Sequence, residues 1–402
     1  MAEWQTVRLS KIVSINQSTY SPKEGWQFIN YLDTGNITMN QIDEIRYINT
    51  LKDKLPSRAR RKVKLNSIIY STIRPNQMHY GIIKKQPENF LVSTGFAVID
   101  VDFEKAVPGY IYYVLTQKDI IEYLQAIAEQ SVSAYPSIKP SDIESLELFL
   151  PDRKTQEKIV AILISIDKKI KQNNKINNNL EQQAQAIFKS WFIDFHPFDG
   201  NRPIDWITGI IDDLGAEIIC GKTPVTKRKE YYGGNIPFIT IPDMHGCVYN
   251  VSTERYLSAA GVASQPKKTL PPNTVCVSCI GTAGLVTLVS EKSQSNQQIN
   301  AVVPKEGISV YYIYLLMQTL SETINKLGQS GSTIVNLNKT QFGKIPVTIP
   351  SEKVLRNFDT LCKPLFEMIL SNQKENIKLT NLRDTLLPRL MSGELDVSNI
   401  DL

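Results

Sequence analysis

The feature that most constrains how this chain folds is an internal repeat in its sequence. Residues 130–151, QSVSAYPSIKPSDIESLELFLP, return without gaps as residues 329–350, QSGSTIVNLNKTQFGKIPVTIP. Four residues are identical at a constant offset of 199 positions, and the apolar residues that follow them also coincide. A repeat of this length predicts two copies of one folding unit within a single chain.

The repeat extends over almost the whole chain, with looser matches before this segment. Each half begins at a tryptophan, Trp4 in WQTVRLSKIV and Trp206 in WITGIIDDLG. The stretch LNSIIYSTIRP matches PNTVCVSCIGT, which aligns Ser71 with Ser278, and GYIYYVL matches VYYIYLL. The offset drifts between 199 and 210 positions in these early parts, so insertions and deletions lie there. The pattern indicates an old duplication whose early parts have diverged.

A heptad pattern follows the constant segment in each half. Apolar residues and two asparagines recur at alternating steps of four and three along residues 153–192, which predicts the seam of one long helix. In the first half the seam consists of Ile159, Leu163, Ile166, Ile170, Asn173, Asn177, Leu180, Ala184, Ile187 and Trp191. In the second half it consists of Phe358, Cys362, Leu365, Ile369, Asn372, Asn376, Leu379, Arg383, Leu386 and Leu390. Each helix is expected to be roughly 55–60 Å long.

The two seams predict that the helices pack against each other as an antiparallel coiled coil. Two copies of one unit in one chain tend to be related by a pseudo-twofold axis, which makes their helices antiparallel. An axis midway between the asparagines pairs Asn173 with Asn376, Asn177 with Asn372, Trp191 with Phe358, and Ile159 with Leu390. Buried asparagines lower stability but fix the register of paired helices. Alternatively, the asparagine-rich stretch is a frayed polar waist, because Asn is a poor helix former.

Outside the helices, short β-like runs such as SIIYST, FAVIDV, TVCVSC and NAVVP alternate with Gly, Pro and Asn. Helical patterns are sparse there and cover residues 109–129 and 310–327. We therefore predict an α+β fold in which two long helices join two strand-dominated globular domains. The predicted boundaries are 1–150 for the first domain, 151–200 for the first helix, 201–349 for the second domain, and 350–402 for the second helix and C-terminal tail.

Composition places the chain in a broad class. Its 402 residues suffice for two or three domains, and the hydrophobic fraction of 42% is ordinary for a soluble protein. No apolar run reaches the ~18–20 residues that span a bilayer, and the first residues lack the pattern of a signal peptide. An odd number of cysteines, five, favours a reducing compartment. We expect a cytoplasmic protein, and the net charge of +5 alone does not identify a partner.

The sequence lacks several motifs of enzymes that act on nucleic acids or nucleotides. A methyltransferase needs a Gly-rich turn after a strand and a loop such as Asn-Pro-Pro-aromatic, and neither occurs. A P-loop is absent, because GKTP at 221–224 lacks the upstream glycine. Asp152 and Asp167 imitate the carboxylates of a metal-dependent nuclease. They are expected to lie roughly 22 Å apart along one helix, too far apart to share a metal ion.

A zinc site can be drawn from His245, Cys247, Cys276 and Cys279. However, VCVSCI is typical of a strand, and residues i and i+3 of a strand point to opposite faces. Cysteines of the core or of a sheet edge are therefore the favoured interpretation. Only three histidines occur in the chain, which leaves little material for histidine-based acid–base catalysis.

The remaining polar features suit nucleic acid, since Lys and Arg contact phosphates while Arg, Asn and Gln can read base edges. The segment SRARRKVK, residues 57–64, contains five basic residues and no acid, and we predict a DNA-contacting loop there. The alternative is a solvated connector. Ser131 and Ser133 are interpreted as architectural, because the offset around them is constant. The candidate DNA-binding residues are Arg58, Arg60, Arg61, Lys62, Lys64, Arg74, Gln77, Lys222, Thr223, Lys227, Arg228, Lys229, Lys267 and Lys268.

Several motifs occur in a specific order: the two Trp-led starts, GKTP with YYGGNIPFITIPDM at 231–244, the segment GQSGSTIVNLNKTQFGKIPVTIP before the second helix, and the ending LPRLMSGELDV at 387–397. In this arrangement the chain resembles the specificity subunit of type I restriction–modification systems. The first half departs from the family pattern, because STYSPKEGWQFINYLDTGNI stands where the second half has its Gly-Lys-Thr-Pro and Gly-Gly motifs. The first domain is therefore expected to sit differently on DNA.

The resemblance implies two target-recognition domains, each reading one half of a split sequence in double-stranded DNA, with the helices as a ruler between them. It implies a non-catalytic subunit without a cofactor of its own. Its partners would be two adenine-N6 methyltransferase subunits, which use S-adenosylmethionine, and motor–nuclease restriction subunits. Two alternatives stay open. One is a scaffold whose helices assemble partners without sequence reading, and the other is a relative of a fused enzyme.

Overall fold

The computed structural model describes residues 4–131, 135–329, 335–398 and 400. Residue contacts divide the chain into two compact units. The first unit contains residues 1–168 and 381–402, and the second contains residues 169–380. Among the described residues, no helix combines the length and the apolar character needed to cross a membrane.

The first unit consists mainly of short strands. These are β1 (Gln5–Arg8), β2 (Val13–Ile15), β3 (Phe28–Leu32), β4 (Ile37–Thr38), β5 (Gln41–Ile42), β6 (Arg46–Asn49), β7 (Ala59–Lys62), β8 (Ile68–Ser71), β9 (Tyr80–Ile82), β10 (Phe90–Ser93), β11 (Phe96–Val101) and β12 (Glu147–Leu150). Its short helices are α1 (Pro108–Leu115), α2 (Lys118–Glu129) and α3 (Pro140–Glu144). The long helix α4 (Arg153–Phe192) begins in this unit.

Strands of the first unit form four-stranded sheets in the orders β6-β3-β10-β7 and β2-β11-β8-β9, and β1 pairs with β12. Strand β8 begins with the unbroken apolar run Ile68–Tyr70, because both faces of its sheet are covered. Ile68 and Tyr70 lie in one core cluster with α1, while Ile69 lies in a second cluster with Leu32 and Phe90. Side chains alternate between the faces of a strand, so a sheet buried on both sides needs an unbroken apolar run.

The second unit contains a second series of short strands. These are β13 (Ile207–Ile210), β14 (Gly215–Cys220), β15 (Tyr232–Ile239), β16 (Tyr249–Asn250), β17 (Arg255–Leu257), β18 (Thr269–Leu270), β19 (Val275–Ser278), β20 (Val286–Val289), β21 (Ser293–Ser295), β22 (Ile299–Pro304) and β23 (Pro346–Ile349). Its short helices are α5 (Ile211–Leu214), α6 (Ile241–Met244), α7 (Ala259–Ala263), α8 (Val310–Thr319), α9 (Ser321–Gly328) and α10 (Lys339–Gly343). The long helix α11 (Glu352–Met391) begins in this unit and ends in the first.

The sheets of the second unit repeat those of the first, which confirms the duplication. The order β17-β15-β21-β18 corresponds to β6-β3-β10-β7, and β14-β22-β19-β20-β16 corresponds to β2-β11-β8-β9 with one strand added. Even the strand directions agree, because β10 pairs in parallel with β3 and β21 pairs in parallel with β15. The α+β prediction and the predicted helical regions are also confirmed.

The elements around the constant segment recur at the same offset as the sequence. Helices α3 and α10, strands β12 and β23, and helices α4 and α11 each begin and end 199 positions apart. In both copies the short helix is capped by its own polar side chains. The Lys139 N–H donates to the Asp142 carboxylate (2.7 Å), and the Gln341 N–H donates to the Asn338 Oδ1 (2.9 Å). Ser133 lies outside the described residues.

The predicted seam is the buried stripe of both long helices. In the first unit Ile159, Leu163 and Leu390 lie in one hydrophobic core. In the second unit the Asn173 Nδ2 donates to the Asn376 Oδ1 (2.9 Å), and the Asn372 Nδ2 donates to the Asn177 Oδ1 (2.8 Å). The Trp191 and Phe358 rings are 5.9 Å apart between centroids. Rising residue numbers on one helix meet falling numbers on the other, so the two helices pack antiparallel within each unit.

Each unit joins its strand-rich part to the long helix that follows it through a different polar contact. In the first unit the buried Gln156 Oε1 accepts the Val107 N–H at the start of α1 (2.8 Å). In the second unit the Ser309 hydroxyl at the start of α8 donates to the Asp359 carboxylate. The Gln156 contact satisfies a backbone N–H at a helix N-terminus, where such donors lack partners within the helix. The Ser309 hydroxyl accepts the Tyr312 N–H at the start of α8, so it caps that helix while it binds Asp359.

The predicted loop at 57–64 is wrong for its central part, because Ala59–Lys62 form strand β7 at the edge of its sheet. Ala59 and Val63 are buried, and the three basic residues between them are half-buried. The burial of this pair outweighs the charge between them. Backbone bonds cover the outer edge of the strand. The Tyr20 N–H donates to the Arg60 carbonyl (2.7 Å), and the Lys62 N–H donates to the Ser18 carbonyl (3.1 Å).

Candidate nucleic-acid interface

The basic residues of β7 differ in how free they are to meet a ligand. Lys62 forms an ion pair with Glu24 (2.5 Å) and lies 5.1 Å from the centre of the Trp26 ring. Arg61 is half-buried, and its Nε has no hydrogen-bond partner among the described residues. Burial lowers the pKa of the Arg61 guanidinium, although arginine stays charged at neutral pH.

The flanks of the strand are more open. Arg58 and Lys64 are exposed, and Arg60 is half-buried. The Lys64 Nζ lies 3.8 Å from the Asp100 carboxylate, a distant pair between a mostly exposed lysine and a mostly buried acid. Surface ion pairs of this kind contribute little to stability. The structure therefore brings these residues together along one strand and its flanks, with Arg58 and Lys64 exposed and Arg60 half-buried.

Arg74 and Gln77 lie in a separate surface turn of the first unit, between β8 and β9. Both side chains are exposed. The Arg74 guanidinium lies 5.6 Å from the centre of the Tyr135 ring, and the Arg74 N–H donates to the Pro136 carbonyl (3.0 Å). The turn is thereby attached to the constant segment.

The GKTP motif forms an anchored loop at the end of β14. A Cβ on Gly221 would lie 2.1 Å from the Asn296 carbonyl oxygen, so only glycine permits this close approach. The Thr223 hydroxyl donates to the Gln297 Oε1 (2.8 Å), and the Gln265 Nε2 donates to the Lys222 carbonyl (2.7 Å). The loop is therefore fixed by its backbone and by Thr223, while the Lys222 side chain is exposed.

Gln265 also brings together two of the basic segments that the sequence suggests for DNA binding, the GKTP loop and the segment with Lys267 and Lys268. It directly precedes the turn Pro266–Lys268, which carries the exposed Lys267 and the half-buried Lys268. Its bond to Lys222 thus places this turn beside the GKTP loop. Lys227, Arg228 and Lys229 continue the same exposed segment. The second unit therefore places Lys222 next to the turn that carries Lys267 and Lys268.

Sequence reasoning missed the buried glutamines that support this loop and turn. Gln294 is fully buried on β21, and its Nε2 lies within 3.3 Å of the Val262 and Gln265 carbonyls. The Gln265 Nε2 donates to the Gln294 Oε1 (2.8 Å). The sequence feature that could have revealed them is the polar run SQSNQQ at residues 293–298, which directly precedes the mostly apolar INAVV. Amides inside a core need partners, so this network fixes the loop backbone that it binds.

The carboxylates of the nuclease pattern have structural partners. The Asp152 carboxylate accepts the Thr155 N–H (3.1 Å) at the start of α4. Asp167 accepts the Tyr113 hydroxyl (2.6 Å) and pairs with Arg383 (3.1 Å). This pair accounts for an arginine at a seam position, because a charge near a core is tolerated when it is paired.

The cysteines of the zinc alternative do not converge. Cys276 and Cys279 lie in different hydrophobic clusters, on opposite sides of their sheet. Burial raises the pKa of both thiols to about 12. Within the described ranges, no group of three or more His, Cys, Asp and Glu side chains could hold a metal ion.

Comparison with known proteins identifies the family of this duplicated chain with its basic surfaces. The family model described as Type I restriction modification DNA specificity domain matches residues 1–182 and again 203–379. The chain belongs to the type I restriction–modification specificity family. As a specificity subunit it is non-catalytic.

Curated relatives and solved structures agree with this assignment. The HindI specificity subunit of Haemophilus influenzae is 34% identical, with 98% of this specificity subunit and 100% of that protein covered. The MjaIX specificity subunit of Methanocaldococcus jannaschii is 27% identical over 80% of this chain and 76% of that one. The type I S subunit of M. genitalium shares the fold, with a TM-score of 0.59 at 16% identity over 99% of this chain and 97% of that one.

Proposed function

We propose that this specificity subunit binds a split target in double-stranded DNA and directs the other subunits of a type I restriction–modification complex to it. The observation that carries the proposal is the duplication itself. Each copy contains the same two sheets, and each presents exposed basic and polar residues outside its core. Two copies that have diverged mainly in their loops suit two different half-sites.

Each domain would use its basic residues for position and its polar residues for sequence. In the first domain, Arg58, Arg60 and Lys64 are suited to phosphates, and Arg74 and Gln77 are suited to base edges. In the second domain, Lys222, Lys227, Arg228, Lys229 and Lys267 are exposed around an anchored loop. Phosphate contacts supply affinity, and base contacts supply sequence discrimination.

The long helices would set the distance between the half-sites. Each contains 40 residues, which corresponds to about 60 Å of helix. We propose that the asparagine pairs fix the register of the helices and, through it, the length of the spacer. Burying asparagine is a known way to specify register at a cost in stability.

The partners would follow the duplication. We propose that the two copies recruit two adenine methyltransferase subunits, and that restriction subunits join the same complex. The methyl donor, S-adenosylmethionine, would be bound by those subunits. The complex would act in the cytoplasm, where the host DNA is.

Mapping methylated adenines in host DNA with and without this chain tests the proposal. We expect a bipartite motif that disappears when the chain is deleted. A methylation pattern that does not depend on the chain would contradict the function. A salt titration of purified complex on a duplex with the motif would then separate reading from scaffolding. Phosphate contacts give a steep fall of affinity with salt, which a scaffold that does not bind DNA lacks.

A further inference from the structure

The turn between β8 and β9 of the first domain has a backbone that its own side chains disfavour. Arg74 (φ 46°) and Met78 (φ 55°) both adopt the left-handed conformation, on either side of the turn Pro75–Gln77. In this conformation the Cβ of an ordinary L-residue crowds its neighbouring carbonyl oxygen, and glycine avoids the crowding. A long side chain at either position therefore has an energetic cost.

A second strained turn lies directly beside the first. Met39 (φ 45°) and Asn40 (φ 63°) are also left-handed. The Met39 N–H donates to the Met78 carbonyl (2.9 Å), and the Asn40 N–H donates to the Tyr80 carbonyl (2.8 Å). The two turns thus form one surface, which we call the 39/74 patch and define as Met39, Arg74, Gln77 and Met78.

The second domain shows how the same turn is built without strain. The Ser71 N–H donates to the His79 carbonyl in the first domain, and the Ser278 N–H donates to the Leu285 carbonyl in the second, both at 2.9 Å. The bond from Arg74 to Pro136 likewise corresponds to one from Gly281 to Val335.

These matching bonds align Arg74 with Gly281 and Met78 with Gly284. Both glycines are left-handed, at φ 77° and φ 87°. The duplication therefore uses glycine at the two positions in one copy and large side chains in the other.

Burial in a core does not explain why the first domain keeps these side chains. Arg74 and Gln77 are exposed, and the exposed fractions of Met39 and Met78 are 50% and 36%. The turn is nevertheless held in place, because the Asn76 N–H donates to the Gln125 Oε1 on α2 (3.2 Å). Strained residues that are exposed and rigidly supported are characteristic of binding sites.

We propose that the 39/74 patch reads base edges of the half-site bound by the first domain, with Arg74 contacting a guanine. This inference rests on the proposed DNA-specificity function and names the residues that carry it out. An arginine binds guanine O6 and N7 through two parallel hydrogen bonds, and a glutamine can bind adenine in the same way. The Tyr135 ring orients the guanidinium. Met39 and Met78 supply apolar contacts of the kind that a thymine methyl group makes.

The test uses the full chain in its host, with methylated adenines mapped for each variant. Replacing Arg74→Gly relieves the backbone and removes the reading group. We expect an unchanged or higher melting temperature of the purified subunit. We also expect loss of the requirement for one G·C pair in one half-site, with discrimination falling by about tenfold or more, while the other half-site is unchanged. Met78→Gly should weaken the same half-site.

Two further variants separate reading from structure and from charge. Asn89→Gly, at another left-handed position of the same domain (φ 51°), should leave the motif intact. Arg74→Lys keeps the charge and can still donate to guanine, but it lacks the planar pair of parallel N–H donors, so it should lose part of the discrimination that Arg74→Gly loses completely.

The inference is overturned if Arg74→Gly and Arg74→Lys both retain the wild-type motif. It is also overturned if Arg74→Gly weakens binding equally for all sequences and lowers the salt slope by about one, which indicates a phosphate contact. Failure of the proposed function looks different, since the wild-type chain would then specify no motif.

Discussion

The long helices and the strand-rich domains of this specificity subunit have diverged to different extents since the duplication. Helices α4 and α11 have the same length, begin 199 positions apart and keep their asparagines at the same seam positions. The domains keep their strand orders, but the offset between their sequences drifts and their exposed turns differ in length and residue type. Each helix is constrained by the other helix, whereas each exposed turn is constrained only by what it binds.

The largest expected effect comes from exchanging the first domain. This exchange tests whether the domains determine the half-sites while the helices determine the spacer. Replacing residues 1–150 by the corresponding domain of another specificity subunit should change one half-site completely and leave the other half-site and the spacer unchanged. The matched exchange of residues 201–349 should change the other half-site instead. Methylation mapping reads both outcomes. A change in both half-sites after either exchange would show that the domains do not read independently.

Lengthening the helices should change the spacer and neither half-site. Four residues inserted within 171–179, with four more within 370–378, extend each helix by about 6 Å. The recognised spacer should then grow by about two base pairs, because duplex DNA rises 3.4 Å per base pair along one strand. An equal insertion in the exposed segment 199–202 serves as the control. An unchanged spacer length after the helix insertion would show that the helices do not set the distance between the half-sites.

Replacing the seam asparagines should make the packed helices α4 and α11 more stable but should leave their register less well defined. The Asn173 Oδ1 is buried without a hydrogen-bond partner among the described residues. Replacing Asn173, Asn177, Asn372 and Asn376 by Leu should raise the free energy of unfolding by roughly 1–3 kcal/mol. The register should then slip. Spin labels on the exposed Lys175 and Lys374 would report several distances instead of one.

A single distance in this variant would show that the apolar seam alone fixes the register. The exposed Asn178 and Asn179 provide the control, because replacing them by Leu leaves the seam unchanged.

The smallest expected effect concerns the two polar contacts that join each strand-rich domain to its long helix. These are Ser309 with Asp359 and Val107 with Gln156. Burial raises the pKa of Asp359, with an opposing effect of the Ser309 hydrogen bond. An acid with a raised pKa in the folded state destabilises the protein where it is ionised, so the penalty is present at neutral pH and disappears below the unfolded value. Asp359→Asn should therefore stabilise at pH 7 by less than about 1 kcal/mol, and the gain should start to shrink as pH falls through the folded pKa and be gone below the unfolded pKa.

Thermal melts between pH 3 and pH 7 measure this gain. Gln156→Ala removes the corresponding uncharged contact between Gln156 and Val107. Its effect on stability should not depend on pH. A gain from Asp359→Asn that is constant over the whole range would contradict the assigned cause.

The sequence predicted the helical frame well because its signals are local and repeated. Step-by-step periodicity defined the seam, and the duplication alone implied which residues of α4 and α11 meet, such as Asn177 and Asn372. No comparable rule applied to the domains. SRARRKVK was interpreted by its charge, whereas the burial of Ala59 and Val63 makes it a strand.

The candidate site was less predictable, since its support comes from distant parts of the chain. The Lys222 carbonyl is bound by Gln265, and the Arg74 guanidinium stacks on Tyr135. In the sequence, Arg74 is distinguished only by its charge. Its significance depends on a backbone angle, and a left-handed arginine has no signature in composition or spacing.

The division of the chain into units has a consequence for the order of folding during synthesis. Residues 169–380 form a continuous unit, whereas the first unit is closed only by residues after Asn381. Leu390, Met391 and Val397 lie in its core, and Gly393 packs against Trp4 so closely that a Cβ would lie 2.8 Å from the indole. Domains commonly fold in the order in which they are translated. Here the part made first is completed last, so the N-terminal half reaches its native state only after residues 381–397 have left the ribosome.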